Sequence, residues 1–363
     1  MKIITVIGAR PQFVKAAVVS RAIQEFNQQQ RELILTEIIV HTGQHFDENM
    51  SKIFFDQMSI PKPHYNLDIN SLSHGAMTGK MLEEIEKVLI VEKPDWVLVY
   101  GDTNSTIAGA LAAKKMHIKV AHVEAGLRSF NLEMPEEINR ILTDRISDIL
   151  FCPTATAMAN LKKEGYENIN IKRVNCGDVM NDAALFYKGK AVKPSALGQE
   201  SAFLLCTIHR QENTDFKDKL ANLFEALDQI SKEINIVLPL HPRTVKKLRE
   251  FNIKPGENIQ IIEPVGYFEM IWILMNCKAV ITDSGGLQKE AYFFKKPCIT
   301  VREETEWVEL IEHGVNFLAG SDKNLIINTF NKIKSTSFNF DKNLYGTGNS
   351  GQLIVQDLVA SNP

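Results

Sequence analysis

KVAHVEAGLRSFNLEMPEEINRILTDRISDILFCPTATAMANLKKEG, Lys119 to Gly165, is the stretch whose reading decides the fold. Its first run, KVAHVEAG, is short, carries β-branched residues and ends in a glycine, Gly126, as a strand does. Pro135 followed by Glu136 and Glu137 then opens a helix, since proline suits the first helical position and acids complement the dipole there. A second apolar run, ILFCPT, and a second helical pattern, TATAMANLKKEG, complete a strand–helix–strand–helix unit. That order predicts parallel strands. In an open parallel sheet, ligands bind beyond the carboxyl ends of the strands, where His122, Glu124 and Arg128 stand. Helix initiation by itself also explains Glu136 and Glu137. Acids that recur at other strand ends, Asp102 and Asp283, favour a functional reading.

The same alternation extends both ways. KIITVIGA leads into the helical PQFVKAAVVSRAIQEF; ELILTEIIVHTG follows, then helices near Asp47–Gln57 and over Gly79–Val91. DWVLVYGD precedes the helical STIAGALAAKKM. After residue 171 the pattern restarts with IKRVNCG, FLLCTIH, INIVLPLH, IQIIEPV, AVITDSGG and PCITV, with helices over Lys217–Glu233, Arg243–Glu250, Phe268–Asn276 and up to Phe294. These patterns predict an α/β protein of two Rossmann-like, doubly wound domains facing a cleft. Residues 1–171 form the first domain and 172–351 the second, with a short hinge near Glu167–Asn175. A closing helix, SGQLIVQDLVASN, is expected to cross back, so that 352–363 pack on the first domain.

Composition narrows the function classes. A chain of 363 residues with 44% apolar and 23% charged residues is an ordinary globular protein large enough for two cores. A net charge of −3, with no basic tail, excludes the electrostatic footprint of a nucleic-acid binder. The opening MKIITVIGARPQ is a first strand, too short for a signal sequence or a membrane span. Cys152, Cys176, Cys206, Cys277 and Cys298 form no CxxC pair. They are expected to be reduced thiols of a cytoplasmic protein, without a disulfide frame or zinc site. Histidines without HExxH spacing argue against a catalytic metal.

AVITDSGGLQKEAYF sets Ser284, Gly285 and Gly286 between a strand and a helix start. Small residues let the backbone approach an anion, which free N–H groups and the dipole attract. A plain tight turn would use the same residues. Glu290, about a turn and a half along the helix, is placed to accept hydrogen bonds from a ribose, so the segment describes a nucleotide clamp. Neither GxGxxG after the first strand nor GxxxxGK[ST] occurs, which removes a dinucleotide site and a P-loop. In GARPQFVK, Arg10 and Lys15 oppose the helix dipole, which favours a role with phosphate over a solvated pair. Asp102 ends a strand, with a helix cap as the local alternative. His209, His241 and His45 each close a strand, and each has a structural reading beside the functional one.

GARPQFVK, HTGQH, GDTNST, HVEAGLR with PEEINR, TIHRQEN, LPLHPR and TDSGGLQKEA, running in order through both domains, resemble the motifs of the non-hydrolysing UDP-N-acetylglucosamine 2-epimerases. The resemblance implies the two-domain fold shared with GT-B glycosyltransferases and a homodimer. It implies epimerisation of a UDP-2-acetamido sugar for surface polysaccharide precursors, with no cofactor. It also implies catalytic roles for Asp102, Glu124, Glu136 and His209, and nucleotide contacts from Arg10, Ser284, Gly285, Gly286 and Glu290, with Lys15 nearby. Gln44, His45, Arg210 and His241 then belong to the cleft or to a second, activating site. Gln211 in HRQEN, the segment REETEWVEL, and Phe46 and Asp47 depart from the commonest pattern; they resemble the subgroup acting on modified sugars such as UDP-2,3-diacetamido-glucuronate. A GT-B glycosyltransferase would share the clamp but need an acceptor. A nucleotide-sugar sensor would not need all four catalytic residues.

Overall fold

A computed structural model describes residues 1–29, 33–44, 60–198 and 202–361. The chain divides into two compact units, Met1–Leu185 with Asn343–Pro363, and Phe186–Lys342.

Among the described residues the first unit is built on a seven-stranded sheet. Its strands are β1 Lys2–Ile7, β2 Thr36–His41, β3 Tyr65–Asn66, β4 Trp96–Tyr100, β5 Lys119–Val123, β6 Ile149–Cys152 and β7 Lys172–Asn175. They lie in the order β3-β2-β1-β4-β5-β6-β7, every pairing parallel. Helices cover both faces of such a sheet, which is why its central strands read as unbroken apolar runs rather than alternating ones. Trp96, Val97, Leu98, Val99 and Tyr100 are all buried. Ile4, Val6, Val97, Val99 and Val120 share one core with Met81, Ile85 and Leu89 of the His74–Glu92 helix and the alanines of the Asn104–Lys115 helix.

The second unit carries six strands among the described residues: β8 Phe203–Thr207, β9 Asn235–Pro239, β10 Ile259–Ile262, β11 Val280–Thr282, β12 Cys298–Thr300 and β13 Asn316–Leu318. Their order is β10-β9-β8-β11-β12-β13, again all parallel. Leu220, Leu223, Phe224 and Leu227 of the Lys217–Ser231 helix pack on one face with Ile326 and Phe330 of the Lys323–Lys334 helix. Ile273 and Leu274 of the Tyr267–Asn276 helix and Leu287 pack on the other. Each sheet reverses its winding direction between two neighbours, β1 and β4 in the first and β8 and β11 in the second. Loops leaving the two strands at such a switch point turn to opposite faces and leave a crevice for a ligand.

The expected boundary at residue 171 is corrected. IKRVNCG does not open the second domain: β7 pairs with β6 in register Ile149↔Lys172 and closes the edge of the first sheet. The Val179–Tyr187 helix also falls almost wholly in the first unit, and the chain re-enters that unit at Asn343 rather than after 351. The Ser350–Ala360 helix packs on the Arg10–Gln29 helix. Ile354, Val355 and Leu358 are buried there, and burying each contributes roughly 1.5–3 kcal/mol. All five cysteines are buried and free. Among the described residues no helix is long and apolar enough to cross a membrane. The helix expected near Asp47–Gln57 lies outside the described residues, as do His45, Phe46 and the side chain of Arg10.

Candidate active site

In the first unit the loops after β1, β4 and β5 meet at the switch point. Glu124 directly follows β5 with φ +73°, in the left-handed region that a side chain disfavours. The conformation is held by its surroundings: the backbone N–H groups of Glu124 and Ala125 both donate to the Phe151 carbonyl at 3.0 Å. Lys15 Nζ donates to Glu124 Oε2, and the lysine's charge balances a carboxylate that is 9% exposed. Gly101, at φ +64°, makes room for the pair. A Cβ there would lie 3.1 Å from Glu124 Oε2 and 3.2 Å from Lys15 Nζ.

Asp102 follows Gly101. It is not the helix cap that its position allowed, because Thr103 caps the Asn104–Lys115 helix in a reciprocal box with Thr106. The Asp102 side chain is left for other work. Its Oδ2 accepts from Arg140 Nη2 at 2.6 Å. Burial pushes the Asp102 carboxyl above its usual range, and Glu124 and Glu136 push the same way; Arg140 and Lys15 pull it down. Asp102 and Glu124 are thus each held by a cation, Arg140 and Lys15, at the ends of adjacent strands.

Glu136 and Glu137 turn out to be opposites. Glu136 is exposed in the first turn of the Pro135–Ile146 helix. Glu137 is fully buried and accepts from Ser129 N, Ser129 Oγ and Phe130 N at 2.9–3.0 Å, with Arg140 Nη1 at 3.4 Å. It pins the loop between strand and helix. Gln12 is a second buried clamp: its Oε1 accepts from Gly8 N and Ala9 N, and its Nε2 donates to Tyr100 O and the hydroxyls of Thr103 and Thr106. Gln44 Oε1 accepts from Ser105 Oγ at 2.9 Å and ties the end of the β2 loop to the same helix start.

In the second unit Asp283, fully buried at the end of β11, organises the loop after β8. It accepts from His209 N at 3.0 Å, Arg210 N at 3.0 Å and Asn213 Nδ2 at 3.2 Å, with His209 Nδ1 at 3.3 Å. The imidazole of His209 is left about half exposed beside the phosphate-type loop. Ser284 caps the Gly285–Phe293 helix by accepting from Leu287 N. The two glycines differ. A Cβ on Gly285 would sit 2.2 Å from Glu306 Oε1, whereas one on Gly286 would meet nothing within 4 Å. A side chain at Gly285 would have to push aside the Glu306 carboxylate, which is paired with Arg302; Gly286 faces open space. Glu290 lies mid-helix and is buried. His241 is exposed and caps the Pro242–Glu250 helix by accepting from Arg243 N, a structural task. Asp283, Gln12 and Glu137 were not among the predicted site residues; a strand-end acid was the only signal any of them gave.

The sequence model of the UDP-N-acetylglucosamine 2-epimerase family matches residues 27–359. The chain belongs to that family. It is 55% identical, over 99% of both chains, to the UDP-2,3-diacetamido-2,3-dideoxy-D-glucuronate 2-epimerase of Pseudomonas aeruginosa. Its structure matches the Methanocaldococcus jannaschii UDP-GlcNAc 2-epimerase, crystallised with UDP-GlcNAc and UDP, with a TM-score of 0.87, 43% identity and coverage of 99% and 100% of the two chains. A lipopolysaccharide outer core galactosyltransferase matches with a TM-score of 0.56 at 13% identity, a likeness of GT-B-type fold alone. As a member of this family the protein is an isomerase with two parallel-sheet α/β domains.

Proposed function

We propose that the protein inverts C2 of a UDP-2-acetamido sugar by eliminating and re-adding UDP. No carbonyl neighbours C2, so its proton is not acidic enough for direct removal and return. If UDP leaves C1 as the C2 proton is taken, the product is a glycal. Delivery of a proton to the opposite face of C2, with a diphosphate oxygen re-forming the bond to C1, completes the inversion and returns UDP to the sugar. Such a route needs acids and bases at C2 and a cationic, anion-binding environment for the leaving diphosphate.

One observation carries this reading: Asp102, paired with Arg140 at the end of β4, and Glu124, paired with Lys15 at the end of the neighbouring β5, stand on adjacent strand ends, with Glu136 in the first turn of the helix that carries Arg140. Three acids in one place exceed what packing or helix initiation requires. In the second unit, His209 and the Ser284–Gly286 loop are then the groups that receive the diphosphate, and Glu290 the one that receives the ribose. The open space at Gly286 and the half-exposed imidazole of His209 support that assignment.

Within the substrate class the reading favours a sugar with a second acetamido group and a C6 carboxylate. The support is the 55% identity to the Pseudomonas enzyme of that name, together with Gln211 and the REETEWVEL segment. The same reading has the chain work as a cytoplasmic homodimer that supplies precursors of surface polysaccharide. Turnover of UDP-2,3-diacetamido-glucuronate against UDP-GlcNAc by the purified protein tests the substrate. A kcat/KM higher for UDP-GlcNAc would overturn the preference.

A further inference from the structure

We propose that Asp144 and His122 form a buried positioning dyad that fixes the backbone from which Asp102 and Glu124 project, so that proton transfer at C2 depends on it. The proposal rests on reading Asp102 and Glu124 as the proton-transfer groups.

Asp144 lies in the Pro135–Ile146 helix and His122 in β5, and both side chains are 0% exposed. His122 Nδ1 lies 2.7 Å from Asp144 Oδ1, and His122 Nε2 lies 2.7 Å from the carbonyl oxygen of Gly101. A carbonyl only accepts, which makes Nε2 a donor. The other carboxylate oxygen, Asp144 Oδ2, accepts from Gly126 N at 3.1 Å and Arg128 Nη1 at 2.7 Å. One carboxylate therefore reaches both loops: through the imidazole it holds the peptide before Asp102, and directly it holds the turn two residues beyond Glu124.

Glu124 is the position that needs holding: its φ is +73°, and it stands between two loops whose glycines, Gly101 and Gly126, take φ of +64° and +79° without strain. Left-handed backbone at a residue with a side chain persists only where the surroundings over-determine it. The Asn160 side chain donates to Gly126 O at 3.1 Å and closes the turn from its other side. Behind the dyad, Arg128 forks onto Glu164 at 2.6 and 2.8 Å. Burial alone would raise the Asp144 carboxyl, but His122 and Arg128 outweigh it and hold it below the ordinary range, so it remains an acceptor on every side. A packing role would require hydrophobic or hydrogen-bonded filling of this space; it would not require one carboxylate to span the two catalytic loops.

The test compares Asp144→Asn and His122→Gln with Glu164→Gln, which loosens the outer end of the network and leaves the dyad whole. Each variant is assayed with UDP-sugar in deuterated water for C2 exchange, kcat and KM, and with UDP by calorimetry. Displacement of catalytic groups by about 1 Å costs on the order of a hundredfold. The expected result is a fall of that order in kcat and C2 exchange for the two dyad variants, with KM and UDP affinity within about twofold. Glu164→Gln should lower the melting temperature while keeping near-normal exchange. Folded dyad variants exchanging within about threefold of the parent would overturn the proposal. So would a loss shared equally by Glu164→Gln, or a fall in UDP affinity that tracks the fall in kcat. Should Asp144→Asn not fold, His122→Gln decides alone, and failure of both to fold while Glu164→Gln folds would assign the dyad to stability and overturn the proposal. Glu124→Gln run in parallel separates the two ideas. Near-normal exchange in that variant sinks the reading of Glu124; silence there with near-normal exchange in the dyad variants sinks only the dyad.

Discussion

Neighbouring glutamates in the first turn of one helix should behave as opposites when substituted. Glu137→Ala removes an acceptor for two backbone N–H groups and a hydroxyl, and takes a carboxylate partner from Arg140. Breaking a buried ion pair by removing one member costs about 3–5 kcal/mol, because the remaining groups stay dry and unsatisfied. At roughly 2–4 °C per kcal/mol for a domain of this size, the melting transition of the first unit should fall by on the order of 10 °C. Activity should fall with it, since the Ser129–Met134 loop is released and Arg140 also holds Asp102. Glu136→Gln removes an exposed acid, and surface changes stay within about 0.5 kcal/mol. Its melting temperature should match the parent, while turnover falls about 10²–10⁴-fold if the acid transfers a proton. Differential scanning calorimetry and a coupled turnover assay read both quantities on the same samples. Normal turnover in folded Glu136→Gln would reduce that residue to a helix-initiating acid. A Glu137→Ala variant as stable as the parent would refute the claim that the loop depends on it.

The two glycines of the phosphate-type loop give a second contrast. Gly285→Ala must displace Glu306 and should cost about 1–3 kcal/mol of stability, whereas Gly286→Ala enters open space and should leave the melting temperature unchanged or higher while weakening UDP binding. UDP affinity by calorimetry that is untouched in Gly286→Ala would remove the diphosphate from this loop. Glu290→Ala should weaken UDP binding about ten- to a hundredfold, the worth of a charged hydrogen bond, and unchanged affinity would take it out of the clamp. Because the folded carboxyl of Asp144 lies below the ordinary 3.8, its contribution to stability is present above that value and is lost as pH falls through the lower, folded one. Acid titration of melting temperature should therefore show a shallower decline below about pH 4 in Asp144→Asn than in the parent; parallel curves would contradict this.

Much of the fold was legible because parallel strands covered on both faces give unbroken apolar runs, and KVAHV, WVLVY and FLLCT needed no tertiary information to be recognised. The Asn316–Leu318 strand and the two-residue Tyr65–Asn66 strand are too short to carry a pattern, and were not anticipated. The boundary error has a different cause. Lys172–Asn175 is a half-exposed edge strand, polar along much of its length. Nothing local says whether such a strand closes one sheet or opens the next; the pairing of Lys172 with Ile149 decides it. The site divides in the same way. Asp102, Glu124 and His209 announced themselves at strand ends. Asp283 gave the same strand-end signal, but Gln12 and Asp144 act through partners in other elements, and a buried polar residue of this kind looks in sequence like any other member of a helix.

The central claim, reversible proton exchange at C2 through a UDP-eliminated intermediate, is tested most directly by incubating the protein with its UDP-2-acetamido sugar in deuterated water. Both C2 epimers recovered by NMR should carry deuterium at C2, with UDP bound to the sugar in each and no acceptor added. Epimers recovered with protium at C2, or a sugar released only when an acceptor is supplied, would contradict the account.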